Sequence, residues 1–291
     1  MENIILRDPN SRAKRLRSGT VGTSGRFAYP VAISLNACIK VISHSDIEVS
    51  AEDVCIGEGQ FGKCYLRTLG HFKVCVKIFK TSDNSALTHE ANILSRFFNK
   101  NLPYLFGISI GDFPSIITSY HGFHDHSLTI HRALFKKIDD CVVKINWKDM
   151  LIQVINGLEY LHIRHKVIHN DLKSDNIVLT STNLQHSSVG AVIIDFGKAC
   201  EASKGKSYTL SHSQKEYYKL HHPQIAPDLR DGKSKQSASS DIYSFGRVMK
   251  VINNLSTLGD VMVTELSQKC MVYDSHLRPD TSELKKSLTV I

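Results

Sequence analysis

The chain has 291 residues, of which 42% are hydrophobic and 22% charged, and a formal net charge of +8. Such a balance suits a globular protein with a large core, arranged as one large or two-lobed domain. Its seven scattered cysteines include no CxxC pair, which speaks against a disulfide framework or a structural zinc site. No apolar run approaches the ~18–20 residues that span a bilayer, and the basic balance admits acidic proteins, nucleotides or nucleic acid as partners without selecting among them.

In chain order, residues 1–45 open with RDPNSRAKRLRSGTVGTSGR, basic and rich in Gly and Ser, and are expected to form a disordered tail. The AKRLR cluster carries two readings, a solvated tail and a nuclear-localisation or anion-binding patch. The first residues lack the basic n-region and apolar core of a secretory signal, so an intracellular setting, cytoplasm or nucleus, is expected. From Ile47 to Phe79 the residues alternate around a glycine-rich turn, which predicts strands. SALTHEANILSRFF sets Ala86, Leu87, Ala91, Ile93 and Leu94 at helical spacing, and FPSIITSY predicts a further strand. INWKDMLIQVINGLEYLH predicts an amphipathic helix with Trp147, Met150, Leu151, Val154, Ile155, Leu158 and Leu161 on one face. VIHNDLKSDNIVL follows, with polar residues between two apolar pieces. Then come the strand AVIIDFG, a long polar stretch to about residue 240, and helical patterns in SSDIYSFGRVMKVINNL and VTELSQKCMVYDSHLRPDTSELKKSL. The expectation is an α+β, two-lobed fold: a β-rich lobe over 46–118 with one helix, a hinge over 119–126 and a mainly helical lobe over 127–291.

Three groups of residues carry chemistry. Gly57, Gly59 and Gly62 stand in GxGxxG spacing, where glycines let a turn approach phosphate oxygens and backbone N–H groups bind the anion. KCYLRTL after the third glycine reads as a strand, which disfavours a dinucleotide-binding unit and leaves a plain hairpin turn as the alternative. Lys77 sits in an apolar strand, with Glu90 in the next helix as a carboxylate that would fix it against nucleotide phosphates. A lone strand lysine otherwise faces solvent. Asp171, Asn176 and Asp195 lie at strand ends and offer a proton acceptor and the oxygen ligands that Mg²⁺ takes, although any single Asp in a turn is commonly structural.

Taken in order, GEGQFG, VCVK, Glu90, HNDLKSDN, DFG, APD, DIYSFG and HLRP resemble the motif set of the eukaryotic protein kinase domain over residues 47–290. The resemblance implies a bilobal fold with ATP and Mg²⁺ in the cleft, and transfer of the γ-phosphate to a protein hydroxyl. It implies Gly57, Gly59 and Gly62 over the phosphates, and Cys64, Cys75, Thr118, Ser119 and Tyr120 around the nucleotide, with Thr118 as gatekeeper. Lys77 and Glu90 would be the ion pair, Asp171 the catalytic base, Lys173 a neighbour of the transferred phosphate, and Asn176 and Asp195 the metal ligands. DLKxxN resembles the serine/threonine type, and Asp228 with Arg278 would form a structural ion pair.

Several positions depart from the family pattern. Cys64 and Cys75 replace the usual valine and alanine, both remaining small and apolar. Asp228 replaces a glutamate one methylene longer, and is expected to strain its reach to Arg278. Asn170 replaces the arginine that usually precedes the catalytic aspartate, so no buried charge there awaits an activation-loop phosphate. Leu220 and His221 stand where the serine/threonine type has Gly-Thr, and Gln224 where the tyrosine type has Trp. Lys198, Lys204, Lys206, Lys215 and Lys219 fit an acidic protein substrate, against the plainer reading of a solvated loop. A kinase-shaped scaffold without turnover, a small-molecule kinase and a nucleic-acid binder are the competing readings. The resemblance favours an active protein kinase, with neither nucleic acid nor membrane as partner.

Overall fold

The computed structural model describes residues 39–50, 52–59, 61–80, 84–123, 125–135, 145–181, 189–256 and 258–290. The first lobe is a sheet of β1 (Ile47–Glu48), β2 (Cys55–Glu58), β3 (Gly62–Leu69), β4 (Phe72–Phe79), β5 (Leu105–Ser109) and β6 (Ser115–Ser119). Its order is β1-β3-β4-β6-β5, with β2 also paired to β3. Alternation along β4 decides its two faces. Val74 and Val76 are buried with Ile42, Ile47 and Ile117 in a small core, which turns Cys75 and Lys77 the other way. The helix α1 (Ser85–Leu94) buries Leu87, Glu90, Ala91 and Leu94, the i, i+3, i+4, i+7 stripe, so Glu90 rides on the helix's apolar face.

Residues 39–42, placed in the tail by the sequence reading, lie along β5. Ile42 N–H donates to Ile108 O at 2.8 Å and Ile108 N–H to Lys40 O at 2.9 Å. Gly107 makes room for them, since a Cβ there would stand 2.4 Å from Lys40 O. Residues 1–38 of that tail lie outside the described residues.

The second lobe runs β7 (Leu128–Thr129), α2 (Ile130–Phe135), α3 (Trp147–Glu159), β8 (Val167–Ile168), β9 (Ile177–Ser181), β10 (Val189–Ile193) and β11 (Cys200–Glu201), then α4 (His212–His221), α5 (Pro227–Arg230), α6 (Ala238–Leu255), α7 (Val261–Cys270) and α8 (Thr281–Val290). The apolar face expected for α3 is buried in the main core, and a π-helical turn over Tyr160–His165 extends it with Leu161 inside. Two short pairings set the functional loops. The β9–β10 hairpin matches Ile177 with Ile193, so Asn176 and Asp195 leave neighbouring strand ends. The β8–β11 pair matches Ile168 with Cys200 and ties the segment after Asp195 to the loop carrying Asp171. Within the polar stretch lies α4, which periodicity does not announce and which buries none of its residues. A capping box holds its start, with Gln214 N–H donating to Ser211 Oγ and Ser211 N–H to Gln214 Oε1.

Asp228 and Arg278 do meet, and the shorter side chain reaches. The Arg278 guanidinium is brought to it by donating to three main-chain oxygens, those of Val272, Ser239 and Tyr273, while Ser234 Oγ donates to the second Asp228 oxygen at 2.6 Å. The Arg278 side chain is 0% exposed and that of Asp228 6%. Removing one partner of such a pair strands the other charge, so Arg278→Met should destabilise the fold by about 3–5 kcal/mol. Urea unfolding would read this as a lower midpoint at unchanged slope. A midpoint near wild type would show that the pair holds nothing together.

Candidate active site

The lobes enclose a cleft of about 410 Å³, and every site residue singled out from the sequence lines it. The glycines above it do different jobs. At Gly57 and Gly59 no atom lies within 4 Å of where a Cβ would stand, whereas at Gly62 a Cβ would fall 2.1 Å from Ile78 O. The first two therefore keep the space beside the backbone open for an incoming group, and the third lets β3 sit against β4. Cys64 and Cys75 both face the cleft, and hydrogen bonding to Cys75 together with burial pushes the Cys64 thiol well above the ordinary range. It stays neutral, which keeps this wall apolar.

Thr118 pairs with Cys75 across β4 and β6. Beyond it the connection is pinned: Ser119 Oγ accepts from Tyr104 N–H at 2.9 Å and bonds His121 Nε2 at 2.8 Å. Burial pulls His121 down to about 4, so the ring is neutral near pH 7. Arg132, which the sequence reading missed, spans the cleft mouth from α2, donating to Ile56 O at 3.3 Å and Ser127 O at 3.0 Å.

The charged centre joins both lobes. Lys77 Nζ lies 3.0 and 2.7 Å from the two Glu90 oxygens and 2.9 Å from Asp195 Oδ1. Burial works against the Lys77 ammonium, but the two carboxylates outweigh it and hold its pKa above the usual lysine value. Burial pushes Glu90 up, with Lys77 opposing. In Asp195 burial acts the same way but loses to Lys77, and the carboxyl is held below its ordinary range. Asp195 adopts φ 66°, a left-handed backbone that Asp tolerates better than most residues. Phe196 beside it is fully buried, its ring 5.3 Å from Phe97 and 5.0 Å from His169, which fixes the turn. For the phosphoryl transfer that the sequence resemblance implies, Lys77→Met is expected to lower the rate by about 100-fold or more, as when a charge-stabilising donor is removed. Glu90 loses its partner but can protonate, and Lys77 is less buried than Arg278, so the loss of stability should be smaller than in Arg278→Met. A labelled-ATP assay beside a melting curve checks both, and unchanged transfer would remove Lys77 from the reaction.

Below the cleft, one carboxylate wires the loop. Asp241 is 0% exposed and accepts from His169 N–H at 2.7 Å, Asn170 N–H at 2.9 Å and His162 Nε2 at 2.9 Å. His169 Nε2 donates in turn to Ile194 O at 3.0 Å. Asn170 sits at φ 64°, a conformation that Asn enters readily. Its Nδ2 donates to Lys198 O at 3.1 Å and Cys200 Sγ at 3.2 Å. The position is thus satisfied by neutral hydrogen bonds, and for the transfer that the sequence resemblance implies, phosphatase treatment is expected to leave the rate near that of untreated protein. Loss of activity on dephosphorylation, restored by rephosphorylation, would overturn this.

Asp171 is 5% exposed. Its Oδ2 lies 3.1 Å from Lys198 Nζ and 3.5 Å from Lys173 Nζ, and its Oδ1 accepts from Gln224 Nε2 at 3.2 Å. Sequence reasoning placed neither Lys198 nor Gln224 at this carboxylate. Among the lysines of this stretch the solvated reading fits Lys204 and Lys219, whose side chains are 72% and 69% exposed, but not Lys198. Asn176 Nδ2 donates to Asp171 O at 2.9 Å, which leaves the Asn176 amide oxygen as its ligating atom. That oxygen and the Asp195 carboxylate are hard donors suited to Mg²⁺, whose remaining ligands would come from phosphate oxygens and water.

A family model described as protein kinase domain matches residues 51–258. The chain is similar to a probable LRR receptor-like serine/threonine-protein kinase of Arabidopsis thaliana, 27% identical over 209 residues, covering 66% of this chain and 18% of that protein. It is similar to the probable serine/threonine-protein kinase WNK9 of Oryza sativa subsp. japonica, 33% identical over 165 residues, covering 56% and 35%. A third relative is cysteine-rich receptor-like protein kinase 1 of Arabidopsis thaliana, 30% identical over 207 residues, covering 66% and 30%. The aligned region thus spans between 18% and 35% of these relatives' own lengths.

Proposed function

Because this chain belongs to the protein kinase family, we propose that it is an active, ATP- and Mg²⁺-dependent kinase that phosphorylates serine or threonine in proteins. The observation that carries the reading is the Lys77–Glu90–Asp195 linkage, closed in the same cleft as Asp171 and beneath open glycine backbone. Phosphoryl transfer asks the protein chiefly for positioning and charge neutralisation. Lys77, oriented by Glu90, would hold the α- and β-phosphates, while Asn176 and Asp195 would hold the metal, which neutralises charge on the phosphates. Asp171 would orient the acceptor hydroxyl and take its proton, with Lys173 beside the transferred group. Cys64, Cys75, Thr118, Ser119 and Tyr120 would frame the base. Serine/threonine preference rests on DLKxxN and on the printed names of two of the relatives. The same proposal takes an acidic protein substrate, in keeping with the formal net charge of +8, and an intracellular setting, in keeping with the unpaired thiols of Cys55, Cys64, Cys75, Cys200 and Cys270.

The test is incubation of the purified protein with labelled ATP, Mg²⁺ and a mixed acceptor panel, beside Asp195→Ala. Label on Ser or Thr with wild type alone is the expected result. Label on Tyr would overturn the specificity. Bound nucleotide without any label would favour the scaffold reading instead.

A further inference from the structure

The Asp171 carboxylate is already occupied on both oxygens, and an acceptor hydroxyl needs one of them. Gln224 holds Oδ1 and is itself 8% exposed, with its main-chain oxygen fixed by Ser244 Oγ at 2.8 Å. Lys173 stands farther from Oδ2 than Lys198 does, 3.5 against 3.1 Å. Lys198 is therefore the group in the acceptor's way. It is also the one best able to leave, because its side chain is 41% exposed while its main chain is anchored through Asn170. A lysine is a compact point charge on a flexible four-carbon stem, and Asp195 and Asn176, where phosphates would gather, line the same cleft.

We propose that Lys198 is a positioning residue that exchanges between the Asp171 carboxylate and the terminal phosphate of the bound nucleotide. A triphosphate draws the ammonium off Oδ2 and opens that oxygen to the acceptor hydroxyl. A diphosphate does not reach it. The chemistry of transfer is unaltered: the acceptor oxygen–phosphorus bond forms, the bond from the γ-phosphorus to the bridging oxygen of ADP breaks, and the hydroxyl proton passes to Asp171. Lys198 thus makes the site distinguish ATP from ADP and orders nucleotide before acceptor. This inference rests on the nucleotide-binding part of the function proposed above.

Its test is the ratio of dissociation constants for ADP and for β,γ-methylene ATP, each with Mg²⁺, measured on wild type, Lys198→Met and Lys198→Arg. Loss of one close charge contact should lower the preference for the triphosphate analogue by about tenfold in Lys198→Met, with Lys198→Arg close to wild type. A merely structural lysine would move both affinities together and leave the ratio alone. An unchanged ratio in Lys198→Met overturns the proposal while the kinase reading stands. Wild type that binds neither nucleotide would sink both.

Discussion

Asp171→Asn is expected to reduce phosphoryl transfer by about 10²–10⁴-fold, the usual contribution of a positioned proton acceptor, while ADP affinity and melting temperature stay near wild type. The substitution keeps the shape of a side chain that is 5% exposed, and an amide oxygen can still accept from Gln224 Nε2. What it removes is the charge. Asparagine cannot take the acceptor's proton, and its NH₂ group, if turned toward Lys198 and Lys173, would oppose two ammonium groups that the carboxylate now attracts. The side of the cleft proposed to hold the α- and β-phosphates is built from other residues, Lys77, Glu90 and Asp195, so the affinity for ADP has no reason to change. Single-turnover transfer measured beside nucleotide binding separates the two effects. Comparable turnover in the variant would take Asp171 out of the reaction.

What was legible in the sequence was whatever repeats locally. The helix carrying Leu87, Ala91 and Leu94 and the strand carrying Lys77 are read directly from spacing, whereas the burial of Glu90 in the same stripe is seen only in the fold. β5 was missed for a local reason as well. Gly107 interrupts its pattern, and the need for that glycine arises from Lys40 on a neighbouring segment far away in sequence. α4 carries no apolar face, so periodicity is silent, and only the Ser211 to Gln214 spacing marked its start.

The surroundings of Asp171 were hidden by distance along the chain. Lys198 and Gln224 lie 27 and 53 residues away and arrive through the β8–β11 pairing and the packing of the segment before α5, neither of which leaves a local signature. Asp228 shows the same limit. Side-chain length alone does not say where the guanidinium stands, and carbonyls of Val272, Tyr273 and Ser239 bring it to the shorter carboxylate.

Asp241→Asn should cost both stability and turnover, and the division between them tests how the loop is held. The carboxylate accepts three hydrogen bonds, two on Oδ2 from His169 N–H and His162 Nε2 and one on Oδ1 from Asn170 N–H. An amide offers one oxygen and one NH₂, so whichever way it turns a donor faces a donor. Loss of charge-assisted bonds worth about 1.5–3 kcal/mol each predicts a destabilisation of about 2–5 kcal/mol. His169 and Asn170 are the two residues immediately before Asp171, and the left-handed Asn170 has no helix or strand of its own to keep it in place. A shift there of even 1 Å would carry Asp171 with it and lower kcat by about 10²-fold. Nucleotide affinity should hold, because the sheet and α1 are untouched. If the folded variant turned over at the wild-type rate despite a lower unfolding midpoint, Asp241 would be a support of the lobe alone. A lower kcat with unchanged nucleotide affinity would instead show that one buried carboxylate on α6 sets the position of Asp171.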